Sequence, residues 1–298
     1  MRLFKKLSGQ GVSAYLMCFP ALLILFVFLI VPFFMSIFYS FTDHHMLLSV
    51  KNGTNFIGLD NYVRVLTSKD TYTAYINTFL YLLYVVPALT VIPFLLAVAL
   101  NRKRKLTNLF RILFFSPQVI SMTVISVVWA FILGSSETSI INTILGFFNI
   151  EPQMWLKNPS QALGVIAFMS IWAGVGFNMI IYLSGLQYIS PELYEAAEID
   201  GASSSQKVLL ITMPLMKRSF VFIFMTSTIA ALKIFTQVFI LTRGGPINST
   251  LTIVYLIFNI GRENMQVGLS SAHSVIFFFV VLALSQLQSK WLLKEDYA

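Results

Sequence analysis

Side chains able to pass a proton, attack a carbonyl or hold a metal are scarce in this 298-residue sequence, and most lie outside its apolar stretches. Cys18 is the only cysteine, which excludes an intrachain disulfide and any cysteine-based zinc site. His44, His45 and His273 are too few and too scattered for a metal centre, and the adjacent pair reads as part of a solvated loop. Catalysis at membrane depth needs paired carboxylates, a Ser/His dyad or a metal set. The long apolar windows hold no Asp or Glu, and His273 has no evident partner, so a membrane-embedded hydrolase or glycosyltransferase finds no catalytic set here. No G-x-x-x-x-G-K-[ST] phosphate loop occurs, which removes ATP hydrolysis by this chain. No catalytic residue, metal or cofactor is expected. Two polar features remain: an acidic segment around residues 192–200, and a few polar side chains inside apolar windows, with Lys233 the one charge among them.

Those features must be positioned by membrane helices. The chain is 57% hydrophobic and 11% charged, against about 45–50% and 25% in soluble domains. Phe occurs 28 times and mean hydropathy is +0.80, the composition of a polytopic membrane protein. Windows without charge, the fifth broken only by Lys233, are each long enough for the roughly 20 residues that cross a bilayer and predict an all-α protein with six spans near 14–41, 72–100, 110–134, 161–188, 216–242 and 266–291. The first follows Arg2, Lys5 and Lys6 like a signal peptide, but its apolar run is too long and no cleavage site follows, so it stays as a helix with kinks expected at Pro20 and Pro32. Segment 250–260 is apolar but too short to span and reads as a re-entrant or interfacial piece.

Six spans put both termini on one side. With a cytoplasmic N-terminus the inner segments hold 13 basic residues: Arg2, Lys5, Lys6, Arg102, Lys103, Arg104, Lys105, Arg111, Lys207, Lys217, Arg218, Lys290 and Lys294. The outer loops hold six: Lys51, Arg64, Lys69, Lys157, Arg243 and Arg262. This bias favours N-in, C-in. The net charge of +8 is then a topology signal, and nucleic acid drops out as a partner.

The loop between spans four and five, residues 190–214, is the informative one. Ser190 suits a helix N-cap and Pro191 the first helical position. Glu192 and Glu195 fall in the first turns, where the helix dipole favours negative charge. Leu193, Ala196 and Ala197 share a face, and Gly201 sits where a left-handed residue would end the helix. A second short helix is expected to start in Ser203–Ser205 and stop before Pro214. Physics alone leaves two readings open: an ordinary amphipathic interfacial loop, or a docking surface whose small residues admit another backbone.

Glu195-Ala196-Ala197, then Gly201 after three residues, then nine residues and Ile211-Thr-Met213-Pro214, resembles the EAA loop of ABC-importer permeases, with Met213 in place of the usual Leu. Phe56-Ile-Gly-Leu-Asp-Asn-Tyr62, Phe110-Arg-Ile-Leu-Phe-Phe-Ser-Pro117 and Leu241-Thr-Arg-Gly-Gly-Pro246 extend the resemblance over nearly the whole chain, to the carbohydrate branch and its MalF-type member. The resemblance implies one permease domain over 1–298 with the type I importer fold, in the cytoplasmic membrane of a bacterium or archaeon. It implies a second permease subunit, two cytoplasmic ATPases that bind the ATP and magnesium, an external solute-binding protein, and surrounding lipid. Glu195, Ala196, Ala197, Asp200, Gly201 and Pro214 would form the ATPase-coupling surface. The cargo would be a sugar; the alternative is a non-sugar solute such as glycerol phosphate, a polyamine or a peptide. A stand-alone channel would leave the EAA loop without a role.

Inside the spans, Lys233 lies 15 residues beyond Arg218, about 22 Å along a helix. It either faces a cavity or serves structure by snorkelling. Ser170, Gly174 and Phe177 form one helical stripe with Asn178 beside it, and Gln237 lies four residues past Lys233. By resemblance to the maltose-type permease, Ser170, Gly174 and Phe177 match its sugar-contact positions. Ala231 and Ile234 occupy the matching places in span five without polar side chains. Ser170 and Gly174 also fit a small-xxx-small helix contact, and both readings stay open.

Overall fold

The structure is a computed structural model that describes residues 9–101 and 106–292. Arg2, Lys5, Lys6, Arg102, Lys103, Arg104, Lys105 and Lys294 of the charge count lie outside the described residues. Among those described, the chain is all-α apart from one isolated bridge between Thr42 and Phe56. Five helices are long and apolar enough to cross a membrane: α1 (Tyr15–Ser40), α2 (Lys69–Leu100), α5 (Ala162–Gln187), the stretch Lys217–Leu241, and α9 (Val267–Leu292). Their ends fall within about three residues of the expected spans.

The third expected span differs. Residues 110–134 form two helices, α3 (Thr107–Val119) and α4 (Met122–Ile132), bent by 102°. Pro117 has no N–H for the Leu113 carbonyl, which instead accepts from the Ser116 hydroxyl at 3.0 Å. Ile120 and Ser121 are extended, and Ser121 Oγ then caps α4 by accepting from Val124 N at 3.4 Å. The fifth span is interrupted as well: α7 (Lys217–Leu232) stops at Lys233, and α8 (Thr236–Leu241) resumes after three residues. In the first span, a π-helical turn at Phe26–Ile30 lies between Pro20 and Pro32. Segment 250–260 supplies a short helix, Ile253–Phe258, that is too short to cross.

The contacts divide the chain into two compact units, one of residues up to Thr67 with Ile257–Phe278, the other of Ser68–Leu256 with the residues from Phe279 on. In the first, the Phe56–Tyr62 motif acts as a clasp. Asn61 is buried, and its amide donates to the Ser40 and Thr42 carbonyls (3.0 and 2.8 Å) at the end of α1. Tyr62 and Ser40 share a hydrogen bond of 2.7 Å. A Cβ on Gly268 would lie 2.1 Å from the Thr42 carbonyl, so only glycine permits that approach.

In the larger unit, α2, α5 and α7 enclose a core of Phe94, Ala97, Met179, Tyr182, Leu183, Leu186, Met216 and Ile223. The Phe94, Tyr182 and Phe220 rings meet at centroid distances of 4.7–5.5 Å. Close helix contact depends on glycines in α5: a Cβ at Gly176 would fall 2.0 Å from the Phe114 carbonyl of α3. Arg111, within the Phe110–Pro117 motif, donates to the Leu100 carbonyl at the end of α2 at 3.0 Å.

Pro93 sits inside α2 and offers no N–H to the carbonyl four residues earlier, that of Leu89. Asn178 of α5 fills the vacancy: its amide nitrogen donates to Leu89 O at 2.9 Å and to Ser227 Oγ of α7 at 3.3 Å. One buried side chain therefore ties three helices. Asn178→Leu should destabilise the protein by about 1–3 kcal/mol, the cost of a buried unsatisfied carbonyl. Adding Pro93→Ala restores a backbone donor and should recover part of that loss. Thermal unfolding of the purified protein in detergent checks it; strictly additive losses in the double variant would refute the link.

Candidate coupling surface and substrate path

Helix α6 (Pro191–Ile199) carries most of the acidic segment and buries none of its residues. Ser190 takes the extended N-cap conformation without a side-chain cap bond, and Pro191 is the first helical residue. The helix ends as expected: Gly201 has φ +75°, with Gly201 N donating to Glu198 O (3.1 Å) and Ala202 N to Ala197 O (2.8 Å). That pair of bonds is a Schellman closure. No atom would meet a Cβ at Gly201, so backbone conformation, not space, requires glycine there.

Ser203 then caps the next turn with a full capping box: its Oγ accepts from Gln206 N (3.3 Å), and Gln206 Oε1 accepts from Ser203 N (2.7 Å). Helical structure does not stop before Pro214. It passes through a π-helical turn at Val208–Thr212 and a last turn at Met213–Leu215. Met213 N reaches back five residues to Val208 O, and this wider turn accommodates the missing N–H of Pro214.

The two arms are braced together by a Tyr194–Thr212 hydroxyl contact of 2.9 Å and by Lys207 pairing with Glu198. The hydrogen bond from the Lys207 ammonium holds the Glu198 carboxyl below its ordinary pKa. What the loop presents outward is mixed: Glu195, Ala196 and Asp200 are exposed beside Ile199 (87%), Leu210 (72%) and Leu193 (46%). An apolar patch rimmed by acids is the makeup of a protein-binding surface.

The intramembrane residues separate into groups. Ser170 is buried; its hydroxyl donates to Ile166 O at 2.8 Å and accepts from Gln237 Nε2 at 3.4 Å, so Ser170 and Gln237 do meet. Gly174 lies against Leu89, whose Cδ2 would be 3.1 Å from a Cβ there, which is the small-residue helix contact. Asn178 is committed to the three-helix clamp. Phe177, on the same stripe as Ser170, is 48% exposed. Lys233 is exposed at the carboxyl end of α7, where the helix dipole favours a cation. Of the two unwound residues after it, Ile234 has its carbonyl 3.5 Å from Thr252 Oγ1.

Sequence reasoning missed three polar centres. Asn142 accepts from Gln153 N (3.1 Å) and Trp155 Nε1 (2.9 Å) and donates to the Gly134, Ser136 and Gln153 carbonyls. Thr250 bonds Gly245 O and Thr242 Oγ1, each at 2.7 Å. Asn77 donates to the Asn248 and Leu251 carbonyls. None belongs to a motif; each is a lone polar residue whose partners lie in loops.

A family model described as "Binding-protein-dependent transport system inner membrane component" matches residues 66–292. The arabinooligosaccharides transport system permease protein AraP of Bacillus subtilis is 32% identical over 95% of this chain and 89% of its own length. The lactose transport system permease protein LacF of Rhizobium radiobacter is 33% identical over 93% of each chain. Among solved structures, a chain of a bacterial ABC transporter that imports the acidic polysaccharide alginate superposes with a TM-score of 0.86 at 21% identity, covering 99% of this chain and 100% of its own. The family model over most of the chain and relatives above 30% identity agree with the apolar helices described above, and the chain belongs to the binding-protein-dependent transport system inner membrane components, the multi-pass permeases of ABC importers.

Proposed function

We propose that this chain forms half of the translocation pathway of a carbohydrate importer of the type I class, with an oligosaccharide as cargo. It would work in the cytoplasmic membrane of a bacterium or archaeon, N-in and C-in, with a second permease, two ATPases that bind ATP and magnesium, and an external solute-binding protein. The observation that carries the coupling role is the helix Pro191–Ile199: it is internally braced, ends on a left-handed glycine, and buries nothing against its own chain. Such an element is built to be covered by another protein. The sugar reading rests on relatives named for arabinooligosaccharides and lactose. Those names disfavour the non-sugar alternative of glycerol phosphate, polyamine or peptide.

Ser170 and Gln237 are the pair placed to offer hydrogen bonds to a sugar hydroxyl, since their mutual contact of 3.4 Å is loose enough to exchange. Lys233 lies four residues before Gln237, across the interruption, and would be the cation of the same path. Phe177, half exposed on the Ser170 stripe, would offer a ring to the same path, and Gly174, packed on Leu89, contributes less.

Two outcomes are expected. Glu195→Lys with Gly201→Asp should leave the protein in the membrane and abolish co-purification of an ATPase subunit along with transport; normal uptake by this double variant would sink the coupling role. Gln237→Leu should raise the apparent KM for sugar uptake roughly two- to tenfold, the value of one neutral hydrogen bond, without reducing ATPase co-purification. An unchanged KM would remove Gln237 from the path.

A further inference from the structure

A cleft of about 570 Å3 lies within the larger unit, apart from Ser170 and the coupling loop. Its lining combines Ser135, Ser136, Thr242 and Lys157 with apolar groups including Leu156 and Pro246. The volume falls in the range of about 300–1,000 Å3 usual for small-molecule sites. Both walls are held by buried hydrogen-bond centres. Asn142, 2% exposed, bonds the Gly134 and Ser136 carbonyls and the Trp155 indole, and so fixes the two segments that carry Ser135, Ser136 and Lys157. Thr250, fully buried, bonds Gly245 O and Thr242 Oγ1 and fixes the facing wall. The cleft is therefore preorganised, which lowers the entropy lost when a ligand binds.

Its chemistry is specific. Hydroxyls and backbone groups suit sugar hydroxyls, and Leu156 with Pro246 suits the C–H faces of a pyranose ring. Lys157 is the only charged residue in the lining. It lies in a short 3-10 turn, and its ammonium has no hydrogen bond or ion pair among the described residues. Along the chain, Thr242 follows Gln237 by five residues, mostly in α8, which puts the cleft about one turn beyond the Ser170–Gln237 pair.

We infer that this cleft is an outer subsite for a saccharide bearing a carboxylate, with Lys157 as the group that recognises the anion. The inference rests on the carbohydrate reading above and narrows it to acidic sugars. The importer, purified with its partner subunits and placed in nanodiscs, is titrated with trigalacturonate and with its fully methyl-esterified, neutral counterpart. Wild type is expected to bind the acid about fivefold more tightly than the ester, the scale of one solvent-exposed ion pair, and the ratio should shrink as salt is raised. Lys157→Arg should keep the preference and Lys157→Glu should abolish it; Lys157 is exposed, so neither change disturbs the core. Equal affinities in wild type, or a ratio untouched by Lys157→Glu, would overturn the subsite and leave the carbohydrate reading standing. Failure of both probes and of neutral maltotriose to bind would overturn the two together.

Discussion

A backbone carbonyl inside a bilayer has no water to turn to, and a proline four residues later deprives it of its helical donor. The Leu89 carbonyl is in that position because of Pro93, and the remedy found here organises the larger unit. Asn178 supplies the donor, and its second bond, to Ser227, commits α7 as well as α5 to the same point. Registry follows. With Asn178 fixed on α2, Gly174 is laid against the Leu89 side chain, and Gly176 comes to face the Phe114 carbonyl of α3, where any Cβ would collide. One satisfied carbonyl thereby sets how four helices meet, a role better suited to a directional hydrogen bond than to apolar packing, since lipid competes equally well for apolar surface.

The same constraint explains where the spans are allowed to break. At Pro117 the Leu113 carbonyl is met from within the helix by Ser116, and after the bend Ser121 caps α4. At Lys233 no proline is involved; α7 ends on a cation that its dipole favours. Irregular backbone at membrane depth is tolerated where protein or a water-filled cavity covers it. The Ser170–Gln237 contact joins the continuous helix α5 to the first turn of α8, just beyond the interruption.

Much of this was legible in the sequence, for identifiable reasons. Span positions follow from the absence of charge, a signal summed over more than 20 residues, so five of the six emerged with ends nearly in place. The coupling loop was legible because Ser190, Pro191, Gly201 and Ser203 act through local backbone chemistry that needs no tertiary knowledge. The bend at Ile120 and the break at Lys233 were not legible, because a single proline or lysine leaves a window of more than 20 residues apolar enough to span. Pro214 was misread as a stop, since a π-turn that absorbs a proline depends on carbonyl positions, not on residue types. Asn178 was read as a path residue because a buried Asn looks the same in sequence whether it serves a solute or a neighbouring carbonyl. Asn142 and Thr250 gave no signal, their partners being loop backbone that no pattern locates.

A coupling element has two conflicting requirements: it must be stiff enough to transmit a push and free enough to be gripped. The loop meets the first internally, through the Schellman closure at Gly201, the capping box at Ser203 and the Tyr194–Thr212 brace. It meets the second by burying nothing of the helix Pro191–Ile199. One arm of the loop runs through Ser190 into α5 and the other into the fifth span. The last turn, Met213–Leu215, leads directly to Met216, which is 2% exposed and seated where a Cβ on Gly185 would lie 2.8 Å from its Cε. Met216 belongs to the core that joins α5, α7 and α2, so on the proposed role displacement of the loop would act on α5 at Gly185 and on α7 at its first residue. Both helices carry the polar residues about the break, α5 with Ser170 and α7 with Ser227, and they are linked again by Asn178. On the proposed coupling role, a load applied at the surface would reach the break through close-packed side chains, which resist compression, and the fifth span is interrupted between Leu232 and Thr236.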